Sequence, residues 1–275
     1  MSQLSWVFLG YRKARAVPKT GSLRLMLLCW LALFCGRITH AQQAKELRIA
    51  AAADLQPVLP VLASEYEKNT GVKLTISFGS SGNLATQIIN GAPMDLFLGA
   101  DFVYPEKVVA AGLADSSAPT QYAKGALVLW ARKDSPLQPI SLDSLVDKRV
   151  STVAIANNLH APYGHAAVAA LQRLKMYDTV KSRLVIAENI TQAAQFVESG
   201  NAQLGLISLT AASSPHFKEV GTFVRVPTQS YAPIIQCAVV MAKSERKALA
   251  HAFLNWLLTP AVQARLPEMG LGPVR

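Results

Sequence analysis

Apolar residues fall in short, nearly continuous runs separated by longer stretches with helical spacing. Leu47–Ala52, Val72–Ser77, Asp95–Gly99, Leu127–Ala131, Thr152–Ala156, Leu184–Ala187 and Leu204–Ile207 read as strands. Gln56–Asn69, Asn83–Asn90, Tyr104–Ala111, His165–Leu174, Thr191–Ser199, Ser244–Leu258 and Ala261–Pro267 fit helices. Strands alternating with helices predict an α/β fold with mostly parallel sheets. No internal repeat, low-complexity segment or flexible linker interrupts the pattern. The units are many for one doubly wound sheet, so two lobes joined by chain crossings fit better. Gly125–Ala131 and Ile234–Met241 are the candidate crossings, because a strand shared between lobes makes a stiff hinge. The expected boundaries are 42–124 plus 231–275 for one lobe and 125–230 for the other.

The N-terminus has a different pattern. Residues 1–41 hold six of the 27 Lys and Arg residues and none of the 17 Asp and Glu. A basic stretch up to Arg24 precedes the apolar Leu25–Cys35, and a polar region ends at Thr39-His40-Ala41. That order is that of a secretory signal, with cleavage expected after Ala41 and a periplasmic destination. The apolar core falls short of the about 20 residues of a membrane span. Without this segment the formal charge of +10 shrinks to 21 basic against 17 acidic residues. No basic cluster with interleaved aromatics remains, which argues against nucleic-acid binding. Cys237 is then the only cysteine left, and its apolar surroundings predict a buried, inert thiol.

Four places join a strand end, a turn of small or polar residues and a helix start. They are Ala51–Asp54, Phe78–Asn83, Asn157–Gly164 and Glu188–Thr191. In open α/β sheets ligands bind beyond the carboxyl ends of the strands. Helix N-termini there present free N–H groups and a partial positive charge, which together make an anion site without Lys or Arg. Each signal also has a plainer reading. Ser80 and Ser81 fit helix caps. His160 and His165 are five apart, wrong for a zinc-binding helix face, and read as surface residues. Asp95, Asp101 and Glu106 read as turn and cap acids. Tyr163 could point its hydroxyl at a ligand or pack on a neighbour. The turn at Gly79–Gly82 is neither a P-loop nor a nucleophile elbow.

At these residues the chain resembles the periplasmic molybdate-binding proteins, the ModA family of ABC transporters. The likeness runs over nearly all of residues 42–275. It is carried by LRIAAAADL, FGSSGNLATQI, NGAPMDLFLGAD, HAPYGHAAVAAL, AENITQAAQFVESGNAQLG and YAPIIQCAVV, in that order. The resemblance implies a two-lobed periplasmic-binding-protein-like fold with hinge crossovers and a ligand cleft between the lobes. It implies no catalysis and no cofactor. Its ligand would be molybdate or tungstate, its partners a permease and an ATPase subunit, and its state monomeric. The implied oxyanion contacts are Ala53, Asp54, Ser81, Tyr163 and Ile190, the last through its backbone N–H. Molybdenum would enter only inside its oxyanion, whose oxygens meet Ser81, Tyr163 and Ile190. Ser208 stands where some relatives carry a second tyrosine.

Asp54 departs from the pattern, since relatives place Ser or Asn there. A carboxylate touching a dianion is repelled by about 1 kcal/mol per unit of ligand charge in water and about 4 per unit at an effective dielectric near 20. Three resolutions are open: the side chain turns away to cap its own helix, it is protonated and donates, or it accepts a proton carried by the ligand. The first is the favoured expectation. The third would suit hydrogen phosphate, so another small oxyanion, sulfate or phosphate, is the alternative ligand. A remote alternative is an exported serine hydrolase using Ser81 with His160 or His165, and another is a structural or adhesive exported protein.

Overall fold

A computed structural model describes residues 45–274 of the 275-residue chain. The expected signal segment and its cleavage point lie outside the described residues. Ten strands follow one another: β1 (Glu46–Ala52), β2 (Lys73–Gly79), β3 (Leu96–Gly99), β4 (Thr120–Gly125), β5 (Leu127–Arg132), β6 (Val153–Ala156), β7 (Leu184–Ala187), β8 (Leu204–Ser208), β9 (Gly221–Arg225) and β10 (Ile234–Val240). The longer helices are α1 (Leu59–Thr70), α2 (Ser81–Ile89), α3 (Val103–Ala110), α4 (Pro162–Arg173), α5 (Ile190–Glu198) and α6 (Lys247–Leu257). Local chemistry sets several ends. Helix α1 has Pro60 in its first turn and stops at Gly71, whose φ of 69° suits glycine. At α5 the Asn189 side chain accepts the N–H groups of Thr191 and Gln192.

The strands form two five-stranded sheets, ordered β2-β1-β3-β10-β4 and β7-β6-β8-β5-β9. In each, three parallel strands are followed by one antiparallel to them and then by an edge strand. The sheets are therefore mixed, where the alternation predicts mostly parallel ones. The cause is the connection between them. The chain leaves the first sheet after β4, passes through Ala126 and joins the second as the antiparallel β5. It returns through residues 226–233 and rejoins the first as the antiparallel β10. Strands β5 and β10 occupy the same place in their sheets, a structural repeat with no sequence trace.

The first crossing, Ala126, falls inside the expected run Gly125–Ala131, most of which is β5; the second, residues 226–233, lies just before the expected Ile234–Met241, which is β10 and stays within one sheet. The two crossings meet where Leu127 N–H donates to the Tyr231 hydroxyl at 3.2 Å. The sequence pattern also passes over β4 and β9. Both lie at sheet edges, where half-exposed strands lack the continuous apolar run of a central one. The expected helix Ala261–Pro267 is two short turns, Pro260–Gln263 and Leu266–Met269; Pro267, without an N–H, sits at the start of the second.

Helices cover both sheet faces. On the first sheet Leu47, Ile49 and Ala51 of β1 pack under Leu59, Leu62 and Phe253, and Ala50 and Phe97 pack with Leu84, Ile88 and Val108 on the other face. On the second, one apolar cluster joins Leu129, Ile155 and Leu171 to Ala53, Ala100 and Ile234 of the first half. The apolar core thus runs on through the contact between the two sheets.

Candidate functional site

The carboxyl ends of β1, β2, β6 and β7 face one another across this contact and enclose a small, nearly filled cavity of about 10 Å3. Its wall is made by Ala52–Asp54 after β1, Gly79–Ser81 after β2, Ala100 after β3, Ala161–Tyr163 after β6, and Asn189 and Ile190 after β7. All five expected contact residues, Ala53, Asp54, Ser81, Tyr163 and Ile190, lie on it. No Lys, Arg or His side chain is on the wall.

The donors are neutral. Ser81 opens α2 and is buried; its Oγ accepts the Ala100 N–H at 3.0 Å, which leaves the hydroxyl proton free to donate. Ser80, one residue earlier, is the N-cap by position, yet its hydroxyl makes no capping bond. That Oγ is buried without a partner. The plain cap reading of the two serines fails, because one is spent on β3 and the other faces the cavity wall. At α5 the Asn189 carboxamide occupies the second and third N–H groups. The first, on Ile190, has no intrahelical acceptor.

Asp54 does not cap its own helix, contrary to expectation. It lies inside the three-residue turn Ala53–Leu55, whose N-cap is Ala52, and it makes no cap bond. Its carboxyl instead turns inward and is buried. Oδ2 accepts from the Tyr163 hydroxyl at 3.1 Å and from Gln236 Nε2, while Oδ1 has no partner. Burial pushes its pKa up to about 6, against the lowering effect of the Tyr163 and Gln236 hydrogen bonds. Burial and the Asp54 charge in turn hold the Tyr163 hydroxyl far above its ordinary range, so it stays a donor. Tyr163 thus reaches a neighbour here, across 109 positions of sequence. Gly125 makes room for this, since a Cβ there would collide with the Tyr163 hydroxyl.

Bonds between the halves close the cavity. Thr191 Oγ1 donates to the Ala53 carbonyl at 2.8 Å and Thr210 Oγ1 to that of Asp54 at 2.7 Å. Ser208 caps the turn Leu209–Ser213 and lies 2.8 Å from Thr210 Oγ1, so it braces Asp54 at one remove. At the mouth Gly82 N–H donates to the His160 carbonyl and the Tyr104 hydroxyl to the Leu159 carbonyl, both at 2.8 Å. The side chains of His160 and His165 are exposed. Asp101 caps α3 through Tyr104 N–H, whereas Asp95 is a buried hub that binds Arg48, Ser244 and Arg246.

A family model described as bacterial extracellular solute-binding protein matches residues 47–272. The molybdate-binding protein ModA of Azotobacter vinelandii is 37% identical over 244 residues, covering 88% of this chain and 96% of that protein. ModA of Rhodobacter capsulatus is 34% identical, covering 88% and 91%. The chain belongs to the ModA family. The periplasmic molybdate-binding protein of Azotobacter vinelandii superposes with a TM-score of 0.78 at 34% identity, over 83% of this chain and all of that one. The sulfate-binding protein SubI of Mycobacterium tuberculosis has the same fold, with a TM-score of 0.71 at 16% identity. The ModA family is one of binding proteins, not enzymes.

Three residues outside the expected contact set help build this ModA-family cavity, and two of them, Ser80 and Thr191, stand in turns already singled out in the sequence. Gln236 is the one polar residue in the run Ile234–Met241, and that isolation was a signal for a buried partner. Ser80 carried the same signal as Ser81. The turn holding Thr191 was readable but its bond was not, because its partner is a backbone carbonyl 138 positions away in sequence.

Proposed function

We propose that this protein captures molybdate or tungstate in the cavity between its two sheets and delivers it to a membrane permease and its ATPase. The observation that carries this reading is the meeting of four strand-to-helix turns, with neutral donors only, around one small cavity in a ModA-family chain. The Ser81 hydroxyl and the Ile190 N–H would hold the oxygens, with Ala53 and Asp54 lining the near wall; the Tyr163 hydroxyl, which donates to Asp54 here, would join them by turning to the anion. None of them ligates the metal. The working lobes are residues 42–124 with 231–275, and residues 125–230. They open to admit the anion and close on it, hinged at Ala126 and residues 226–233. Residues 1–41 serve as the export signal, cut after Ala41, and the mature protein works in the periplasm as a monomer.

Asp54 favours a second reading, in which the ligand is another small oxyanion such as sulfate or hydrogen phosphate. Equilibrium dialysis with labelled molybdate tests both. One anion per chain is expected, displaced by tungstate and not by sulfate or phosphate. Ser81→Ala is expected to weaken binding by about 1.5–3 kcal/mol, the range for a hydrogen bond to a charged group. Displacement by phosphate or sulfate at lower concentration than tungstate would move the ligand to the second reading.

A further inference from the structure

The Asp54 carboxyl is the one acidic group on the cavity wall, and its two oxygens differ. Oδ2 takes two hydrogen bonds; Oδ1, equally buried, takes none. An ionised carboxylate buried with one bare oxygen is costly. A protonated one is costly too unless its O–H finds an acceptor, and the described residues provide none at Oδ1. An oxyanion in this cavity is such an acceptor. Resting on the oxyanion-binding reading, we infer that the cavity takes its anion together with one proton, held at Asp54 Oδ1, so that Asp54 sets which protonation state is bound.

The step balances simply. The carboxylate gains one proton and becomes a neutral acid, whose O–H donates to an oxygen of the dianion. The pair then carries two negative charges instead of three. For molybdate or tungstate the proton comes from solvent. Hydrogen phosphate brings its own, and the ionised carboxylate accepts it. The other polar groups facing Asp54 cannot supply this proton in its place. Tyr163 from α4 donates to Oδ2, and Gln236 from β10 is neutral. Tyr122 from β4 senses the Asp54 charge but donates to the Gly99 carbonyl at 3.0 Å, and burial holds it protonated. Asp101 acts on Tyr122 only from a distance, and no cation among the described residues offsets the Asp54 charge. Ser80 Oγ, also bare on this wall, is a donor of the same neutral kind.

The test is calorimetric titration of the full folded protein with molybdate, from about pH 5 to pH 8, in buffers of different ionisation enthalpy. The expected result is uptake of one proton per anion above Asp54's titration range, with Kd rising about tenfold per pH unit there. Asp54→Asn, which supplies a permanent neutral donor, is expected to bind with no proton uptake and a flat pH profile. Binding by the native protein without proton uptake would overturn this inference and leave the oxyanion-binding reading intact. Failure of molybdate, tungstate, sulfate and phosphate to bind at any pH would overturn that reading itself. Tighter binding of hydrogen phosphate without uptake would keep Asp54's role and change the ligand. The native protein's buffer dependence decides the matter even if the variant does not fold.

Discussion

At the scale of the residue, this protein keeps an acid where its surroundings do not favour a charge. The Asp54 pKa of about 6 lies above the ordinary aspartate value of 3.8. A native carboxyl that holds its proton longer than the unfolded one makes stability fall as pH rises between those values and level off above. About two pKa units correspond to roughly 3 kcal/mol. Asp54→Asn is therefore expected to be more stable relative to the native protein at pH 7 than at pH 4. Urea unfolding at the two pH values measures this, and an equal offset at both would contradict it. The sequence shows that Asp54 sits in a strand-to-helix turn, and it shows the charge conflict. It does not show where the carboxyl goes, because its partners Tyr163 and Gln236 are 109 and 182 positions away. Cys237 was readable: it is buried in an apolar strand, which pushes its thiol up to about 11 and keeps it unreactive.

At the scale of the element, the legible parts are those set by local pattern. Buried central strands such as β1, β6 and β8 appear as continuous apolar runs, and β7 falls at its predicted limits. Edge strands β4 and β9 do not, and the antiparallel places of β5 and β10 depend on how two sheets share one chain. Glycines at the seam report what the pattern hides. A Cβ on Gly82 would lie 2.8 Å from the His160 carbonyl and 2.9 Å from the Tyr104 ring, two groups that meet at the closed mouth. Gly82→Ala is expected to leave each half folded and to weaken anion binding about tenfold, since such a loss of closure costs on the order of 1.4 kcal/mol. Unchanged affinity with an unchanged melting profile would show that the mouth does not close this way.

At the scale of the whole molecule, two sheets of like topology carry their helix N-termini to one seam, and the hinge segments lie side by side there. The four turns that make the cavity were readable as turns. Their convergence was implied by the family resemblance and not by the local pattern, because it follows from the two crossings. Neutral donors at this seam would select an anion by shape and charge together, and an anion bound there would hold the halves together. The most direct test is thermal unfolding with molybdate, tungstate, sulfate, phosphate or no addition. An anion at 100 times its dissociation constant stabilises by about 2.7 kcal/mol, several degrees for a chain of this size. Molybdate and tungstate are expected to raise the midpoint by that amount and sulfate to leave it in place; a midpoint that no oxyanion moves would contradict the binding site described.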